Sequence, residues 1–169
     1  VWNRGIRGNT LDDLEGRWQH DALDLNPDVI SILIGTNDVD RALRDGRTID
    51  PEAWGVKLKR LLDKAMAQNS DVRFVLCTPF VAQAGKTGLS GDYNRRKEMV
   101  TMLGQVVRNV AKDYHATVVP FDLLVEETIS QNQDIPASYW IWDGIHPTPA
   151  MHYKMARMWI EKADREIMR

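Results

Sequence analysis

The sequence predicts an α/β fold in which helices cover both faces of a mostly parallel sheet, forming a three-layer α/β/α sandwich. Three observations support this prediction. Short runs that are apolar on both faces recur along the chain, as in strands buried inside a parallel sheet. Segments with apolar residues at helical spacing alternate with these runs, which is the order of a parallel α/β fold. Polar loops directly follow two of the runs, at the sheet edge where open α/β folds bind ligands.

The N-terminal segment is predicted to be the end of a strand followed by a helix. The residues VWN at positions 1–3 have the composition of a strand end. The helix is predicted from Thr10, its N-cap, to about Leu25, with Asp13 at the third position. A doubly wound sheet that began in mid-strand would lack its first βα unit and leave a strand edge open. We therefore expect the natural chain to extend upstream of Val1.

Strands and helices alternate in the rest of the chain. The predicted strands are 28–35, 72–80 and 116–122. The predicted helices are one that begins at Pro51, one from Tyr93 to Tyr114, a short one over 122–131 and a last one from about Pro149 to Met168. The predicted loops at the carboxyl edge of the sheet are 38–50 and 80–92.

The composition indicates one globular domain that spans residues 1–169. Its hydrophobic content of 43% and charged content of 27% are ordinary for such a domain. The formal net charge of −2 argues against a nucleic-acid partner, because phosphate recognition needs a basic face. No apolar run approaches the ~20 residues of a membrane span, so no membrane partner is expected. The oligomeric state stays open, and a homo-oligomer is compatible with the sequence.

The single cysteine, Cys77, lies in an apolar run and is predicted to be a buried thiol. One cysteine excludes an intrachain disulfide, which fits a reducing compartment. A cytoplasmic location is therefore favoured. Secretion stays open, because a signal peptide could have been removed from a chain that begins without methionine.

Two polar motifs contain candidate hydrogen-bond donors for a reacting group. In NRGIRGNT at 3–10, Gly8 either permits a tight turn or presents its amide, at a helix N-terminus, to developing negative charge. In GTND at 35–38, either Asn37 or Asp38 caps the local backbone, or Asn37 projects an uncharged amide with two N–H groups. Both residues are candidate oxyanion donors.

A third motif, WDGIHP at 142–147, places Asp143 three residues before His146. An acid in this position would accept a hydrogen bond from one ring nitrogen and fix the tautomer. The other ring nitrogen would then be free to take the proton of a nucleophile. The alternative is an Asp-Gly turn followed by an ordinary His-Pro entry into a helix.

In this order, the three motifs resemble those of the SGNH (GDSL-type) hydrolases. That family has four blocks: a Gly-Asp-Ser nucleophile, a Gly, a Gly-x-Asn-Asp and an Asp-x-x-His. The last three match at Gly8, at GTND and at DGIH, and the resemblance extends over essentially the whole chain. The segments NRGIRGNTLDDLEGRW, ILIGTNDV and WDGIHPTPAMH are most similar to the acetylxylan-esterase-like branch. The nucleophile block is absent from this sequence and is expected upstream of Val1.

The resemblance implies a flavodoxin-like SGNH fold and a serine esterase that acts through an acyl-serine intermediate. It assigns Asp143 as the orienting acid, His146 as the base, and Gly8 and Asn37 as oxyanion donors beside the missing serine. No cofactor and no metal are expected. Without the serine, the 169 residues are expected to show no triad-dependent activity. Arg7 departs from the family, which often has a small residue there; exposure to solvent is the simpler interpretation.

The expected substrate is a small-molecule or oligosaccharide ester, with an acetyl group on a plant-polysaccharide fragment favoured by the resemblance. Trp142 and Trp140 lie beside the pair in the sequence and are candidates for stacking on a sugar ring, with core packing the alternative for Trp140. Hydrolysis of a short-chain lipid ester, a lysophospholipid or a thioester is the alternative activity. A catalytically inactive module that binds glycans is the alternative from another class.

Other candidate sites are weaker. Ser90 lies on a predicted edge loop but lacks the Gly-x-Ser-x-Gly spacing of a nucleophile elbow. The AGKTG motif at 84–88 lacks the first glycine of a phosphate-binding loop, because Phe80 stands at that position. His152 could join the acid–histidine pair around a zinc ion, but it lies within the last predicted helix without a second carboxylate.

Overall fold

The computed structural model describes residues 1–166 and has a parallel β-sheet at its centre. Within those residues the sheet has three strands in the order β1-β2-β3, namely Val29–Leu33, Arg73–Cys77 and Thr117–Val119. Val29 pairs with Arg73, and Val75 pairs with Thr117, with all three strands parallel. Each strand lies within its predicted range, so the three predicted strands are confirmed.

Helices alternate with these strands. They are α1 Leu11–Gly16, α2 Trp18–Asp21, α3 Thr36–Arg44, α4 Pro51–Gln68, α5 Gly85–Leu89, α6 Tyr93–Asp113, α7 Phe121–Gln131, α8 Ala137–Trp140 and α9 Pro149–Glu166. The predicted helices that correspond to α4, α6 and α7 are confirmed, as is the start of α9. The predicted end of the last helix at Met168 lies outside the described residues. None of the described helices combines the length and the apolar character needed to cross a membrane.

The predicted single helix over 10–25 is wrong, because the chain turns within it. The Thr10 side chain caps α1 as predicted, and the Asp13 carboxylate accepts from the Thr10 amide at 2.9 Å. The backbone then leaves helical geometry at Arg17, with φ −115° and ψ 7°. Beyond this break, the buried Trp18 indole N–H donates to a backbone carbonyl of α4 at 3.0 Å. The end of α1 therefore coincides with a tertiary contact between Trp18 and α4. The spacing of apolar residues along the chain does not indicate this contact.

The predicted loop over 38–50 is also wrong in its first half, which forms most of α3. Val39 and Ala42 lie three residues apart on α3 and are buried on the side that contacts α6. The predicted loop over 80–92 contains the short helix α5. Helices this short gain most of their stability from packing rather than from propensity, so their own sequence predicts them poorly.

The first residues and the outer edge of β1 depart from the prediction of buried strands. Residues 1–6 have no regular secondary structure and are exposed, so the predicted strand end at VWN is wrong. In the described part of the chain, β1 pairs with β2 alone. Ser31 and Leu33 are exposed on one face of β1, with Leu33 at 45%. β1 is therefore apolar and buried on one face rather than on both.

Two apolar cores lie on opposite faces of the sheet and form the predicted three layers. On one face, Ile32 and Leu76 pack among residues of α1, α4 and α6. On the other face, Val75 and Cys77 pack among residues of α7, α8 and α9. The predicted burial of Cys77 is confirmed, and burial raises the pKa of its thiol to about 12. The thiol therefore stays neutral, and Cys77 packs as an apolar residue of the core.

Candidate active site

Asp143 and His146 form a hydrogen-bonded pair in the loop before α9. Nδ1 of His146 lies 2.9 Å from Oδ2 of Asp143. Oδ1 accepts from the backbone amides of Ile145 at 3.1 Å and His146 at 2.9 Å. Burial raises the pKa of Asp143, but the bonds from the His146 ring and the two amides outweigh it, so the pKa lies below its usual value. The ionised carboxylate therefore favours the tautomer protonated at Nδ1, which leaves Nε2 free to act as a base.

The loop that carries this pair is a tight turn. Ile141 and Pro147 form an antiparallel bridge at its base. Gly144 has a φ of 95°, in the region that favours glycine. The Asp143 side chain is 10% exposed, whereas the His146 side chain is 47% exposed. The turn therefore buries the acid and leaves the imidazole accessible.

Asn37 projects from the first turn of α3, directly after β1. Gly35 makes the change from strand to helix with a φ of 118°, which disfavours any residue with a side chain. The Asn37 amide donates one N–H to the backbone carbonyl of Asn9 at 3.1 Å. Because a carboxamide has two N–H groups, this bond orients the side chain and leaves the second donor for another acceptor.

Gly8 lies in an exposed turn that ends at Asn9. The Asn9 amide donates to the carbonyl of Ile6 at 3.3 Å, and Gly8 has a φ of 81°, as the third residue of a type II turn requires. Beyond its chain neighbours, no atom lies within 4 Å of the position that a Gly8 side chain would occupy. The turn therefore leaves room for another group to approach its backbone.

The predicted base and one predicted donor share a cleft, and Gly8 is not among the residues that line it. Asn37 and His146 line it, together with Ile6 and Asn9, which flank the Gly8 turn. Within the described residues, no serine, threonine or cysteine side chain hydrogen-bonds to the His146 ring, whose bonding partner is Asp143. The arrangement combines a base, its orienting acid and amide donors, which is the equipment of acyl transfer to a nucleophile near Nε2.

The two tryptophans next to the pair have different surroundings. Trp142 is 59% exposed, and its ring stacks on the His146 imidazole with centroids 6.1 Å apart and planes at 28°. Trp140 is buried in the core between the sheet and α9, in edge contact with Tyr139 at 4.9 Å. Trp142 thus presents a face beside the base, while the position of Trp140 favours the core-packing alternative.

The other residues that the sequence singled out take different roles. Ser90 Oγ donates to the Thr87 carbonyl at 2.9 Å, and Arg7 is exposed. His152 lines the cleft from α9. Within the described residues, however, no group of three His, Cys, Asp or Glu side chains could hold a metal ion. The AGKTG motif contributes most of α5, which packs against the turn of Asp143.

Sequence reasoning considered Asp38, the last residue of GTND, only as a cap of the local backbone and missed its long-range contacts. Its carboxylate accepts from the Leu11 amide at 3.1 Å and from the Trp54 indole N–H at 2.9 Å. Burial raises the pKa of Asp38, and these two donors offset part of that rise. Asp38 thereby ties α1 and α4 to α3, which places the chain around Gly8 beside Asn37. Its partners lie 27 and 16 residues away, so no local pattern indicates them.

Residues 1–154 match the GDSL-like Lipase/Acylhydrolase family. The chain is 29% identical over 173 residues to an acetylxylan esterase of Geobacillus stearothermophilus, a match that covers 100% of this chain and 74% of that protein. It is 27% identical over 178 residues to a multidomain esterase of Ruminococcus flavefaciens, covering 95% of this chain and 20% of that protein.

Solved structures are similar as well. A GDSL-like lipase from Parabacteroides merdae superimposes with a TM-score of 0.86 at 32% identity, over 96% of this chain and 72% of that one. The Geobacillus acetylxylan esterase superimposes with a TM-score of 0.79 at 26% identity, over 96% and 71%. Other structures of that esterase are catalytic mutants in which a serine, an aspartate or a histidine is replaced by alanine. The aspartate and the histidine are three positions apart there, and a further variant changes the tryptophan directly before that aspartate.

Proposed function

The chain belongs to the GDSL-like lipase/acylhydrolase family and is a carboxylic ester hydrolase, and we propose that it removes acetyl groups from a carbohydrate. The predicted resemblance to SGNH hydrolases with acetylxylan-esterase-like relatives is confirmed. The proposal for the site rests on one observation above all. Nδ1 of His146 bonds to Oδ2 of Asp143 at 2.9 Å, in a ring that lines the same cleft as Asn37.

In the proposed mechanism, His146 is the base and Asp143 orients it. Nε2 of His146 takes the proton of a serine hydroxyl while the serine oxygen attacks the ester carbonyl. The tetrahedral oxyanion accepts from the second N–H of Asn37, the amide of Gly8 and the amide of the serine. The bond between the carbonyl carbon and the sugar oxygen then breaks, and the sugar leaves with the proton from His146. Water, deprotonated by His146, attacks the acetyl-serine, releases acetate and restores the serine.

The proposed nucleophile is a serine of the Gly-Asp-Ser block, upstream of Val1. Two observations support it. A catalytic mutant of the related acetylxylan esterase has a serine replaced by alanine. No described hydroxyl of this chain bonds to the His146 ring. The experiments below therefore use the full-length protein, and the 169 residues alone are expected to lack His146-dependent activity.

An acetylated sugar is the favoured substrate for two reasons. The similar Geobacillus protein is an acetylxylan esterase, also described as an acetyl-xylooligosaccharide esterase. In addition, Trp142 exposes an indole face next to the base, and such a face packs well against the C–H groups of a pyranose ring. In this proposal, Trp142 holds the sugar and the small acetyl group reaches Asn37 and His146.

The proposal is tested by measuring hydrolysis of p-nitrophenyl acetate and of acetylated xylo-oligosaccharides. His146→Ala should lower kcat by about 10³-fold or more, because the serine loses its base. His20→Ala is a matched control, since His20 also bonds an aspartate, Asp24, at 2.8 Å but is exposed on α2. This control should keep the wild-type rate.

Each outcome of this experiment has a distinct meaning. Equal rates for wild type and His146→Ala would reject the assigned base. Activity on p-nitrophenyl acetate without release of acetate from any acetylated oligosaccharide would keep the esterase and reject the carbohydrate substrate.

A further inference from the structure

The segment 82–88, which contains the AGKTG motif, is docked on the turn that carries Asp143. The Ala82 amide donates to the Gly144 carbonyl at 2.9 Å, and the Thr87 amide donates to the Asp143 carbonyl at 3.4 Å. The Thr87 hydroxyl donates to the Ala84 carbonyl at 2.9 Å and so closes the segment on itself. The segment and the turn are therefore held in a defined relative position.

The two backbones are also in close contact. Gly85 has a φ of 47°, and a side chain there would lie 2.7 Å from Asp143 Cα and 2.7 Å from the carbonyl oxygen of Trp142. A side chain at Gly144 would overlap that of Thr87. Glycine on both sides thus permits an approach that no other residue allows.

This docking brings a lysine to the buried carboxylate. Nζ of Lys86 lies 3.8 Å from Oδ2 of Asp143, the same oxygen that bonds to Nδ1 of His146. On its other side, Nζ lies 4.0 Å from Oδ2 of Asp40 on α3. Lys86 therefore bridges the acid of the candidate site and a second acid outside it.

The second acid does not fully neutralise the lysine, because it is shared. Asp40 also pairs with Arg96 of α6, whose side chain is 11% exposed. Arg96 lies 3.9 Å from Asp92 as well, at the start of α6. The charged groups around the pair thus come from the turn itself, α5, α3 and α6. The single carboxylate of Asp40 is shared by two cations, Lys86 and Arg96. It therefore compensates the charge of Lys86 only in part, and Lys86 still attracts the carboxylate of Asp143.

We propose that Lys86 is a positioning residue for the Asp143–His146 pair, with its ammonium group stabilising the carboxylate that orients the imidazole. A cation beside Oδ2 stabilises the carboxylate and disfavours a second positive charge on the neighbouring ring. Lys86 lies against the carboxylates of Asp143 and Asp40, so we expect it to act through the pair rather than by contact with the substrate. This inference rests on the proposed function, because it assumes that His146 acts as a base.

The test compares pH profiles of kcat/KM for the full-length wild type, Lys86→Met and Lys86→Arg at low salt. Lys86→Met should move the acid limb to higher pH by about 0.3 to 0.5 pH unit, the size expected for one water-screened charge. KM should stay unchanged. Lys86→Arg, which keeps the charge, should follow the wild type. At roughly 1 M salt the shift should disappear, because the Debye length falls to about 3 Å.

Lys64→Met is the matched control. Lys64 on α4 lies 3.8 Å from Glu15 and is 49% exposed, which compares with 3.8 Å and 54% for Lys86. The Lys64→Met substitution removes the same charge at a site away from the Asp143–His146 pair, so the pH profile of this variant should follow that of the wild type. Thermal unfolding of every variant shows whether it is folded.

Three results would overturn the inference. They are a Lys86→Met profile that coincides with the wild type at low salt, an equal shift in Lys64→Met, and a shift that persists at high salt. Failure of the proposed function is recognised separately, because His146→Ala would then retain activity. An active wild type, an inactive His146→Ala and an unshifted Lys86→Met would reject the role of Lys86 alone.

Discussion

The turn of Asp143 and His146 and the turn of Gly8 face the same cleft but are built differently. The first is bonded to the chain around it, since its carboxylate and two of its carbonyls all accept hydrogen bonds. The second is exposed, and a side chain at Gly8 would meet nothing within 4 Å. In the proposed mechanism, proton transfer requires a fixed base, whereas the donor side must stay open to the ester carbonyl. The difference indicates that the acid–histidine turn is held in place before a substrate binds, whereas the Gly8 turn leaves space for another group to approach.

After the loss of His146, the largest expected effect concerns Asn37, the oriented side-chain amide on the open side. Asn37→Ala should lower kcat by about 10²- to 10³-fold with little change in KM, because a lost oxyanion donor destabilises mainly the transition state. Steady-state kinetics of the full-length protein on p-nitrophenyl acetate measure this. Asn109→Ala, at an exposed position on α6, is the control. A loss of less than about fivefold would show that Asn37 is not an oxyanion donor.

The contrast between the two turns is sharpened by two glycine variants. Gly8 and Gly85 both have positive φ, but a side chain at Gly85 meets backbone at 2.7 Å while one at Gly8 meets open space. Gly85→Ala should therefore lower the free energy of unfolding by about 2 to 4 kcal/mol. Gly8→Ala should lower it by about 1 kcal/mol. Urea denaturation measures both values.

Two further observations complete that experiment. Gly91→Ala, where a side chain also meets nothing within 4 Å and φ is not positive, should be nearly neutral. The Gly85→Ala protein that remains folded should also have a lower kcat, because the added methyl group displaces the backbone of Asp143. If Gly85→Ala and Gly8→Ala proved equally stable, the segment 82–88 would not be clamped on the turn.

The smallest effect distinguishes the buried Asp143 from the half-buried Asp38 by the sign of the pH dependence of stability. The folded pKa of Asp143 lies below 3.8, so its ionisation stabilises the fold above that pH, and this contribution is lost as the pH falls through the folded value. The folded pKa of Asp38 lies above 3.8, so its ionisation is unfavourable, and stability is regained as the pH falls through that raised value.

Unfolding free energies of Asp143→Asn and Asp38→Asn, each relative to wild type across acid pH, measure this difference between the two acids. The wild-type advantage should shrink on acidification for Asp143 and grow for Asp38. The same sign for both would contradict the assigned environments.

Features that depend on neighbours in the chain were predictable. The capping pair Thr10 and Asp13 and the pair Asp143 and His146 are each three residues apart, and their side chains meet within a single turn. The three strands were recognisable because each is short, apolar and β-branched over consecutive residues. The convergence of Asn37 and His146 followed from the shared edge of a parallel sheet, together with the family resemblance.

Features that depend on distant partners were not predictable. The break at Arg17, the helix α3 and the open face of β1 were all predicted wrongly. The contacts of Asp38 with α1 and α4 and of Lys86 with Asp143 were missed, because these partners lie on other elements of the fold.

The sequence by itself thus determined the order of the elements and the local chemistry of the acid–histidine turn, because backbone propensity and short-range hydrogen bonds act within a few residues. The tertiary structure decided which helices break, which carboxylates are buried and which lysine faces Asp143. The physical reason is that burial and charge interactions depend on distance in space, and only the folded chain sets that distance.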